Sequence, residues 1–348
     1  MKTKKAKNQF LDTAIETGEE LLKIEDLSVT YTTRDMGVSK AVNHVTLSLL
    51  KGETLGLVGE TGAGKTTIAL SIMGLIESPP GEIVSGTIRF KNQDIYALSK
   101  SEMQKIRGSK ISMIFQDPMT ALNAVDTVGE QIAEVILLHE RCSKAEARRK
   151  AEEMMETVGI PRERYGEYPY QFSGGMIQRI VIAIALACSP ELLLADEPTT
   201  ALDVTIQAQV LDMMNELKSK FGTSVLMITH DLGIVAEMCD RVAVIYAGEV
   251  AEFGTLEQLF HKMAHPYTRG LFDSLPNAAG DSLRLKPIKG LMPDPAHLPE
   301  GCKFCDRCEY ADEECFAREP ELTDIGEGHL VRCFHHSCFR DRGNKHDG

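Results

Sequence analysis

An eight-residue stretch of the chain has the residue types that bind a phosphate group. Residues 59–66 match the template G-x-x-x-x-G-K-[ST] at every fixed position. Glycines let such a loop wrap a phosphate without a Cβ in the way. Lys65 can reach β- and γ-phosphates, and the Thr66 hydroxyl can hold Mg²⁺. The predicted nucleotide-binding residues here are Gly59, Glu60, Thr61, Gly62, Ala63, Gly64, Lys65, Thr66 and Thr67.

The elements on either side would hold this loop in place. Glu53 to Val58 is a short apolar run that predicts a buried strand, and Thr67 to Leu75 has apolar residues at helical spacing. The N–H groups at a helix start point toward an anion, and the helix dipole favours negative charge there. The stretch therefore predicts a site for a nucleoside triphosphate.

A pair of carboxylates follows a second apolar strand, Leu192 to Ala195. Asp196, at the end of this strand, is placed to ligate Mg²⁺. Glu197 can accept a proton from an attacking water or orient it. Alone, the pair would equally fit a strand followed by an acidic turn. Beside the Lys65 loop, the pattern favours a hydrolytic site.

The triplet Ser173-Gly174-Gly175 opens a third segment, a helix with an apolar face. Ser173 fits a simple N-cap. A cap does not require two glycines, which cost helix stability. The alternative interpretation is a second anion site, where another group approaches the backbone closely.

Composition limits the classes of function. The 348 residues carry a net charge of −13, which argues against sequence-independent binding of nucleic acid. The longest apolar run, Ile180 to Cys188, is far shorter than the ~20 residues of a membrane helix. No apolar stretch follows the charged start, so we expect no signal peptide and a cytoplasmic chain with reduced thiols.

These motifs and three others follow one another along about residues 22–260 in an order that resembles the ATPase subunit of an ABC transporter. Phe172 and Met176 depart from the leucine and glutamine common in the signature, but neither change removes the Ser173 hydroxyl or the glycine N–H groups. The matching segments are the loop at 59–66, the Q-loop Phe115-Gln116-Asp117-Pro118, the signature 172–176, the Walker B pair Asp196-Glu197, the D-loop Thr200-Ala201-Leu202-Asp203 and the switch histidine His230.

The resemblance implies a role for each matching residue. Gln116 would sense metal and water, helping Thr66 and Asp196 to hold Mg²⁺, and would couple to the membrane partner. His230 would contact the γ-phosphate. Tyr31 would stack on adenine, although a strand tyrosine also fits simple packing. Because two nucleotide domains of such ATPases face head to tail, Ser173 and Gly175 would complete the partner's site. Gly174 and Asp203 are also predicted nucleotide-binding residues.

Three further segments resemble the oligopeptide/dipeptide importer subfamily: 195–209, 265–271 and 301–333. This subfamily also includes importers of nickel, glutathione and antimicrobial peptides. The resemblance implies a subunit that hydrolyses ATP to power peptide import. Its partners would be two membrane permeases, a second and related ATPase subunit and, indirectly, an extracytoplasmic binding protein. The subunit would be located at the cytoplasmic face of the membrane.

Six cysteines lie close together near the end of the chain, four of them spaced Cys302-x5-Cys308-x6-Cys315-x17-Cys333. In the cytosol this favours a metal over disulfides. Thiolates suit zinc and an iron–sulfur cluster equally. The subfamily resemblance implies a [4Fe–4S] cluster on these four cysteines. Cys305 offers an alternative ligand, because Cys302-x2-Cys305-x2-Cys308 also has an iron–sulfur spacing.

We therefore predict an α/β fold, a P-loop ABC ATPase core with a helical subdomain and a small cysteine-rich C-terminal extension. The predicted segments are a tail at 1–21, the ATPase domain at 22–262 with its helical subdomain at about 121–175, the extension at 263–340 and a tail at 341–348. Alternatives are an importer of nickel or another small solute, a soluble ABC ATPase and a module that does not hydrolyse ATP. Glu197 and His230 count against the last.

Overall fold

The structure is a computed structural model that describes residues 18–33, 37–200, 202–274 and 287–337. Ala201, Cys338, most of the predicted N-terminal tail and the C-terminal tail lie outside these ranges. Contacts group the chain into two compact units. Unit 1 holds the described residues up to 50, those of 55–94 and those from 229 onward. Unit 2 holds residues 51–54 and 95–228, of which 201 is not described.

Both helices and strands are numbered in chain order. The strands are β1 (Glu20–Thr33), β2 (Gly37–Leu50), β3 (Thr54–Val58), β4 (Gly81–Phe90), β5 (Gln93–Asp94), β6 (Ile111–Ile114), β7 (Leu192–Asp196), β8 (Ser224–Thr229), β9 (Arg241–Tyr246), β10 (Glu249–Thr255), β11 (Thr323–Asp324) and β12 (Leu330–Val331). The α-helices are α1 (Lys65–Ile72), α2 (Lys100–Ile106), α3 (Pro118–Ala121), α4 (Val128–His139), α5 (Lys144–Thr157), α6 (Gly174–Leu186), α7 (Val204–Phe221), α8 (Leu232–Met238), α9 (Leu256–His261), α10 (Pro266–Asp273) and α11 (Glu313–Ala317).

Unit 1 contains an antiparallel sheet in the order β2-β1-β4-β5. In β1, Leu22, Ile24 and Leu27 are almost fully buried, and the register shifts between Ile24 and Leu27. Residues of β3 pair in parallel with β9, from Leu55 opposite Arg241 to Val58 opposite Val244. Every residue of β3 is buried, as expected of a parallel strand that is covered on both faces.

The hairpin of β9 and β10 turns at Ala247 and Gly248. Both turn residues have positive φ, 46° and 81°, which is the backbone conformation that a tight hairpin requires. The outer side of β10 pairs with β12, and β12 pairs with β11. The C-terminal strands therefore extend the sheet that contains β3.

Unit 2 combines a parallel sheet in the order β6-β7-β8 with several helices. Helices α4 and α5 follow β6 and α3 in the chain. Helix α5 begins with a capping box, in which the Ser143 hydroxyl and the Glu146 carboxylate each accept the other's backbone N–H. These helices lie between β6 and α6 in the chain, where the sequence predicted a helical subdomain.

Residues 287–337 have little regular structure beyond a 3₁₀ turn at Cys305–Arg307, helix α11 and two short strands. Only a few of their large side chains are buried, among them Phe304, Leu330 and Val331. Among the described residues, no helix is both long enough and apolar enough to cross a membrane.

Candidate nucleotide site and cysteine cavity

The predicted phosphate-binding loop connects β3 to α1 in unit 1. Its last glycine, Gly64, is the N-cap of α1 and has φ of 99°, a conformation that L side chains rarely adopt. A Cβ on Gly64 would also lie 2.3 Å from the carbonyl oxygen of Ala41. No side-chain hydrogen bond caps the start of α1. The loop thus has the backbone geometry of an anion site at a helix start.

Lys65 is almost fully buried at the first position of α1. Its ammonium donates to the carbonyl oxygens of Gly59, at 2.7 Å, and Glu60, at 2.9 Å. The cation is therefore held inside the curve of the loop. From this position its charge faces the space that the loop encloses, where phosphate oxygens would be attracted.

Two other predicted residues of unit 1 are Tyr31, which lies in a strand, and His230, which directly follows one. Tyr31 lies in β1 opposite Ser39 and Gly81 and is half-buried. A Cβ on Gly81 would lie 3.0 Å from the Tyr31 ring, so this ring packs on a neighbouring strand. His230 directly follows β8 and is exposed. Asp231 caps α8 by accepting the Gly233 N–H at 2.8 Å.

Unit 2 brings Gln116 and Glu197 together. The amide of Gln116 donates to the Glu197 carboxylate at 3.2 Å, and the Thr200 hydroxyl donates to the same oxygen at 2.9 Å. Strands β6 and β7 run in parallel with Ile114 opposite Ala195, so both side chains follow adjacent strand ends. Two hydrogen bonds on one oxygen fix the direction of the carboxylate.

The backbone around the acidic pair is unusual. Asp196 ends β7 and is 2% exposed, whereas Glu197 has φ of 48°, in the left-handed region. Its N–H donates to the Ile228 carbonyl at 2.8 Å, which stabilises this conformation. Strained backbone of this kind concentrates at functional sites.

The signature segment begins α6, but the Ser173 hydroxyl does not cap it. Ser173 is the N-cap residue by position, yet it forms no side-chain hydrogen bond to the helix. The simple capping role considered from the sequence is therefore wrong. Gly174 faces open space, whereas a Cβ on Gly175 would lie 2.6 Å from Cγ2 of Ile206 in α7. Close packing within the unit explains Gly175, and nothing within the unit crowds Gly174.

The two unusual signature residues surround one arginine. Phe172 is buried, and the Arg164 guanidinium lies over its ring at 4.0 Å. The same guanidinium contacts the sulfur of Met176 at 3.4 Å and the Gln171 carbonyl at 3.1 Å. Phenylalanine and methionine therefore fit because they pack around Arg164. In the D-loop, Asp203 caps α7 by accepting the Ile206 N–H at 3.0 Å.

Sequence reasoning missed two contacts of the phosphate-binding loop. The Arg307 guanidinium donates to the Glu60 carboxylate at 3.1 Å, and the Tyr267 hydroxyl accepts the Glu60 N–H at 2.9 Å. Both partners come from the C-terminal part of the chain, more than 200 positions away. Tyr267 lies in the 265–271 segment that resembles the importer subfamily, and this was the available signal. Arg307 gave a signal only by its place between two cysteines.

The four predicted cluster ligands line one cavity in unit 1, together with Cys305. Its other walls are formed by aromatic rings, prolines and histidines, including His265, Phe304 and His335. Among the residues that line it there is no lysine or arginine. The cavity is therefore a sulfur-rich space that excludes fixed positive charge.

Three of the four cysteine sulfurs accept a hydrogen bond from a backbone N–H group. The N–H groups of Tyr310 and His335 donate to the sulfurs of Cys308 and Cys333, both at 3.4 Å. The Phe304 N–H bonds the sulfur of Cys302 likewise. In each pair the donor lies two residues after the cysteine. Cys305 differs, since its sulfur faces the Asp306 carboxylate at 3.9 Å.

Burial makes these thiols hard to ionise in the protein alone. It raises the pKa of Cys302 to about 12 and that of Cys333 to about 11, and neighbouring cysteines add to both shifts. Thiolates in such a place require a compensating cation. A bound metal would supply that charge.

The sulfurs are widely spaced. Among the residues described, the only three or more potential metal ligands with atoms within 4.8 Å of one another are Asp312, Cys315 and His335. A tetrahedral zinc with bonds of about 2.3 Å would bring thiolate sulfurs within roughly 4 Å of each other. Among the described residues, no three cysteine sulfurs are therefore gathered as closely as the ligands of one zinc would be.

Comparison with known proteins agrees with these features. The family model described as "ABC transporter" matches residues 42–200. A second model, "Oligopeptide/dipeptide transporter, C-terminal region", matches residues 251–315. The two matches include the phosphate-binding loop, the Walker B pair and the first cysteines of the cavity.

Similar curated proteins cover nearly the whole chain. An oligopeptide transport ATP-binding protein, AppD of Bacillus subtilis, is 49% identical over 90% of this chain and 96% of its own length. A dipeptide transport ATP-binding protein, DppD of the same organism, is also 49% identical, over 91% and 95%. The oligopeptide transport protein OppD of Escherichia coli is 46% identical over 92% and 95%.

Solved structures share the fold. A dimeric ATP-binding cassette in a post-hydrolysis state, bound to ADP and Pi, superimposes with a TM-score of 0.61 at 28% identity. That alignment covers 68% of this chain and 99% of the cassette. The predicted α/β ATPase fold is thereby confirmed. The chain belongs to the ABC transporter ATP-binding proteins of the oligopeptide/dipeptide group and is an ABC-type ATPase.

Proposed function

We propose that this chain hydrolyses ATP at the cytoplasmic face of a membrane to power peptide uptake through permease subunits. Glu197 carries the proposal, because Gln116 and Thr200 hold its carboxylate in one direction at the end of a buried strand. The names of the relatives, which are oligopeptide and dipeptide transport proteins, support peptides as the cargo. The same machinery would accept nickel or another small solute if its partners selected it.

The proposed mechanism assigns separate tasks to the named residues. The loop 59–66 and Lys65 bind the phosphates, and Tyr31 contacts the adenine. Thr66, Asp196 and Gln116 would hold Mg²⁺, which would supply positive charge to the phosphates. Glu197 orients the attacking water and accepts its proton. His230 contacts the γ-phosphate, which stabilises the charge that develops there.

We propose that the site closes only in a dimer with a related subunit. Ser173 and Gly174 support this arrangement, since the hydroxyl is not used as a cap and the glycine faces open space. Through them the chain would contact the partner's nucleotide, with Gly175 and Asp203 shaping the helix ends beside them. The similar solved cassette is a dimer, which is consistent with the proposal.

Replacement of Glu197 by Gln tests the catalytic assignment. The amide keeps the shape and the hydrogen bond to Thr200 but cannot accept a proton. We expect ATP affinity to stay within about twofold while turnover falls roughly 10²- to 10⁴-fold. Equilibrium binding of ATP and release of phosphate are measured on the same preparation.

Glu216→Gln is the matched control, because Glu216 is an exposed carboxylate of unit 2 on α7. It should hydrolyse ATP at the normal rate. Turnover of Glu197→Gln at the rate of this control would rule out Glu197 as the proton acceptor.

The extension at 263–340 is proposed to bind a [4Fe–4S] cluster through Cys302, Cys308, Cys315 and Cys333. These four sulfurs line one cavity, and three of them accept a backbone N–H from two residues onward. A cluster bound there would supply electron-transfer capacity or, more simply, folding energy to a segment with few buried apolar side chains. The alternatives are Zn²⁺ and a ligand set that includes Cys305.

Metal analysis of anaerobically purified protein tests this proposal. We expect roughly four irons per chain and a broad absorption near ~400 nm. Cys302→Ser should lose the iron, whereas Cys305→Ser should retain it. Stoichiometric zinc in colourless protein would contradict the cluster, and loss of iron only in Cys305→Ser would contradict the ligand set.

A further inference from the structure

Glu60 of the phosphate-binding loop is held by its side chain from the C-terminal part of unit 1. Its carboxylate pairs with Arg307, whose side chain is only 6% exposed. The same guanidinium donates to the Tyr246 hydroxyl at 3.4 Å. Arg307 also donates to the carbonyl of Lys289 at 2.9 Å. A buried cation with these partners fixes the Glu60 side chain in one place.

The backbone of Glu60 is held separately. The Tyr267 hydroxyl accepts its N–H at 2.9 Å, and Tyr267 is fully buried. The Glu60 carbonyl accepts from Lys65, the proposed phosphate-binding cation. Tyr267 therefore holds the Gly59–Glu60 peptide group, whose carbonyl oxygen on Gly59 accepts from Lys65 at 2.7 Å, while Arg307 holds the Glu60 side chain.

Arg307 and Tyr267, the two residues that hold Glu60, both adjoin residues that line the cysteine cavity. Phe304, which lines the cavity, packs against Tyr267 with ring centroids 5.4 Å apart and against Tyr246 at 5.2 Å. Arg307 lies in the 3₁₀ turn Cys305–Arg307, directly before Cys308. A group bound to the cysteines would fix this turn, and with it the guanidinium that contacts Glu60.

We propose that Arg307 and Tyr267 are positioning residues of this chain's nucleotide site, and that through them a metal group on the cysteines and the nucleotide strengthen each other's binding. The two sites share one element, the Cys305–Arg307 turn with its aromatic neighbours. Coupling between sites is reciprocal, so loss of the metal weakens nucleotide binding and bound nucleotide slows metal loss. The positioning role stands on geometry alone, and the coupling rests on the proposed metal site.

Nucleotide affinity without hydrolysis is the readout for the positioning role. Equilibrium binding of a fluorescent ATP analogue is measured for the full chain and for Arg307→Met and Tyr267→Phe. We expect each variant to bind roughly 5- to 50-fold more weakly, the usual range for coupling between sites. Glu60→Gln should weaken binding similarly, and adding it to Arg307→Met should weaken binding little further.

Lys303→Met is the matched control. Lys303 is a second largely covered cation of the same segment, but it pairs with Glu319 at 3.0 Å and donates to the carbonyls of Pro299 and Gly301 instead of to the loop. It should bind the analogue within about twofold of the unchanged chain. Normal binding by both Arg307→Met and Tyr267→Phe would overturn the positioning role, as would an equal loss in Lys303→Met.

Removal of the metal with a chelator tests the coupling. Metal-free protein should bind the analogue several-fold more weakly, and Arg307→Met should show no further loss on chelation. Unchanged affinity after metal removal would overturn the coupling. Protein that never holds iron or zinc would instead refute the proposed metal site, while the variant affinities would still decide the positioning role.

Discussion

His265 is a buried histidine whose protonation state bears on stability. Its Nδ1 accepts the Tyr267 N–H at 3.0 Å, which makes it the N-cap of α10 and requires the unprotonated nitrogen. Burial lowers the pKa of His265 to about 4, although the nearby Glu252 carboxylate works in the opposite direction. The folded chain therefore keeps this ring neutral over a range where the unfolded chain protonates it.

The difference between the pKa of His265 in the folded and the unfolded chain sets the sign of the effect of pH on stability. Between pH ~6.5 and ~4 the unfolded state binds the extra proton, so the free energy of unfolding decreases as the pH falls. His265 should account for roughly 2–3 kcal/mol of that decrease. His265→Asn can still cap α10 but does not titrate. In urea unfolding at pH 7 and pH 4.5, this variant should lose less stability than the unchanged chain, and an equal loss in both would contradict the assignment.

Single residues could be predicted from the sequence where their chemistry acts on the ligand itself. Lys65 and Glu197 belong to motifs whose spacing follows from the shape of a triphosphate and its metal, and such spacing is visible in one chain. Thr200, Tyr267 and Arg307 act on those residues instead. Their positions depend on how distant segments pack, so no local pattern marks them.

The start of α6 separates a packing glycine from an exposed one. Gly175→Ala would push a methyl group to within 2.6 Å of Ile206, whereas Gly174→Ala would meet nothing within the unit. We expect Gly175→Ala to lower the free energy of unfolding by about 1–3 kcal/mol, the range for overpacking. Gly174→Ala should keep or slightly raise stability, because alanine favours a helix more than glycine does.

Gly174→Ala should keep the stability of the chain but should lower its activity. If a partner subunit's nucleotide approaches this helix start, Gly174→Ala should reduce ATP turnover in the assembled transporter while ATP binding by the isolated chain is unchanged. Thermal unfolding and turnover are measured on both variants. Normal turnover by stable Gly174→Ala would indicate that no group approaches Gly174.

Elements were predictable where their ends carry local signals. Capping boxes at Ser143 and Thr255 begin α5 and α9, and their residue pattern is visible in the sequence because both hydrogen bonds of each box lie within four residues. At Ser173 the same kind of reasoning failed, since the helix begins there without its hydroxyl. The pairing of β12 with β10 had no local signal, because it joins segments about 80 positions apart.

On the scale of the whole molecule, the described residues form two units that the order of the chain does not separate. The phosphate-binding loop, His230 and the cysteine cavity belong to unit 1, while Gln116, Glu197 and the signature belong to unit 2. The sequence boundary near residue 262 reflects a change in composition. It could not predict that the C-terminal residues pack in the same unit as the loop, because that depends on contacts such as Arg307 with Glu60.

Peptide uptake by living cells tests the central claim, that ATP hydrolysis by this chain powers peptide import. Cells that normally make the protein would carry Glu197→Gln or the control Glu216→Gln in its place, with equal amounts of each chain present. The account predicts that uptake of a labelled oligopeptide falls to background with Glu197→Gln, is unchanged with Glu216→Gln, and that nickel uptake is unaffected. Normal peptide uptake with Glu197→Gln, or loss of nickel uptake alone, would contradict it.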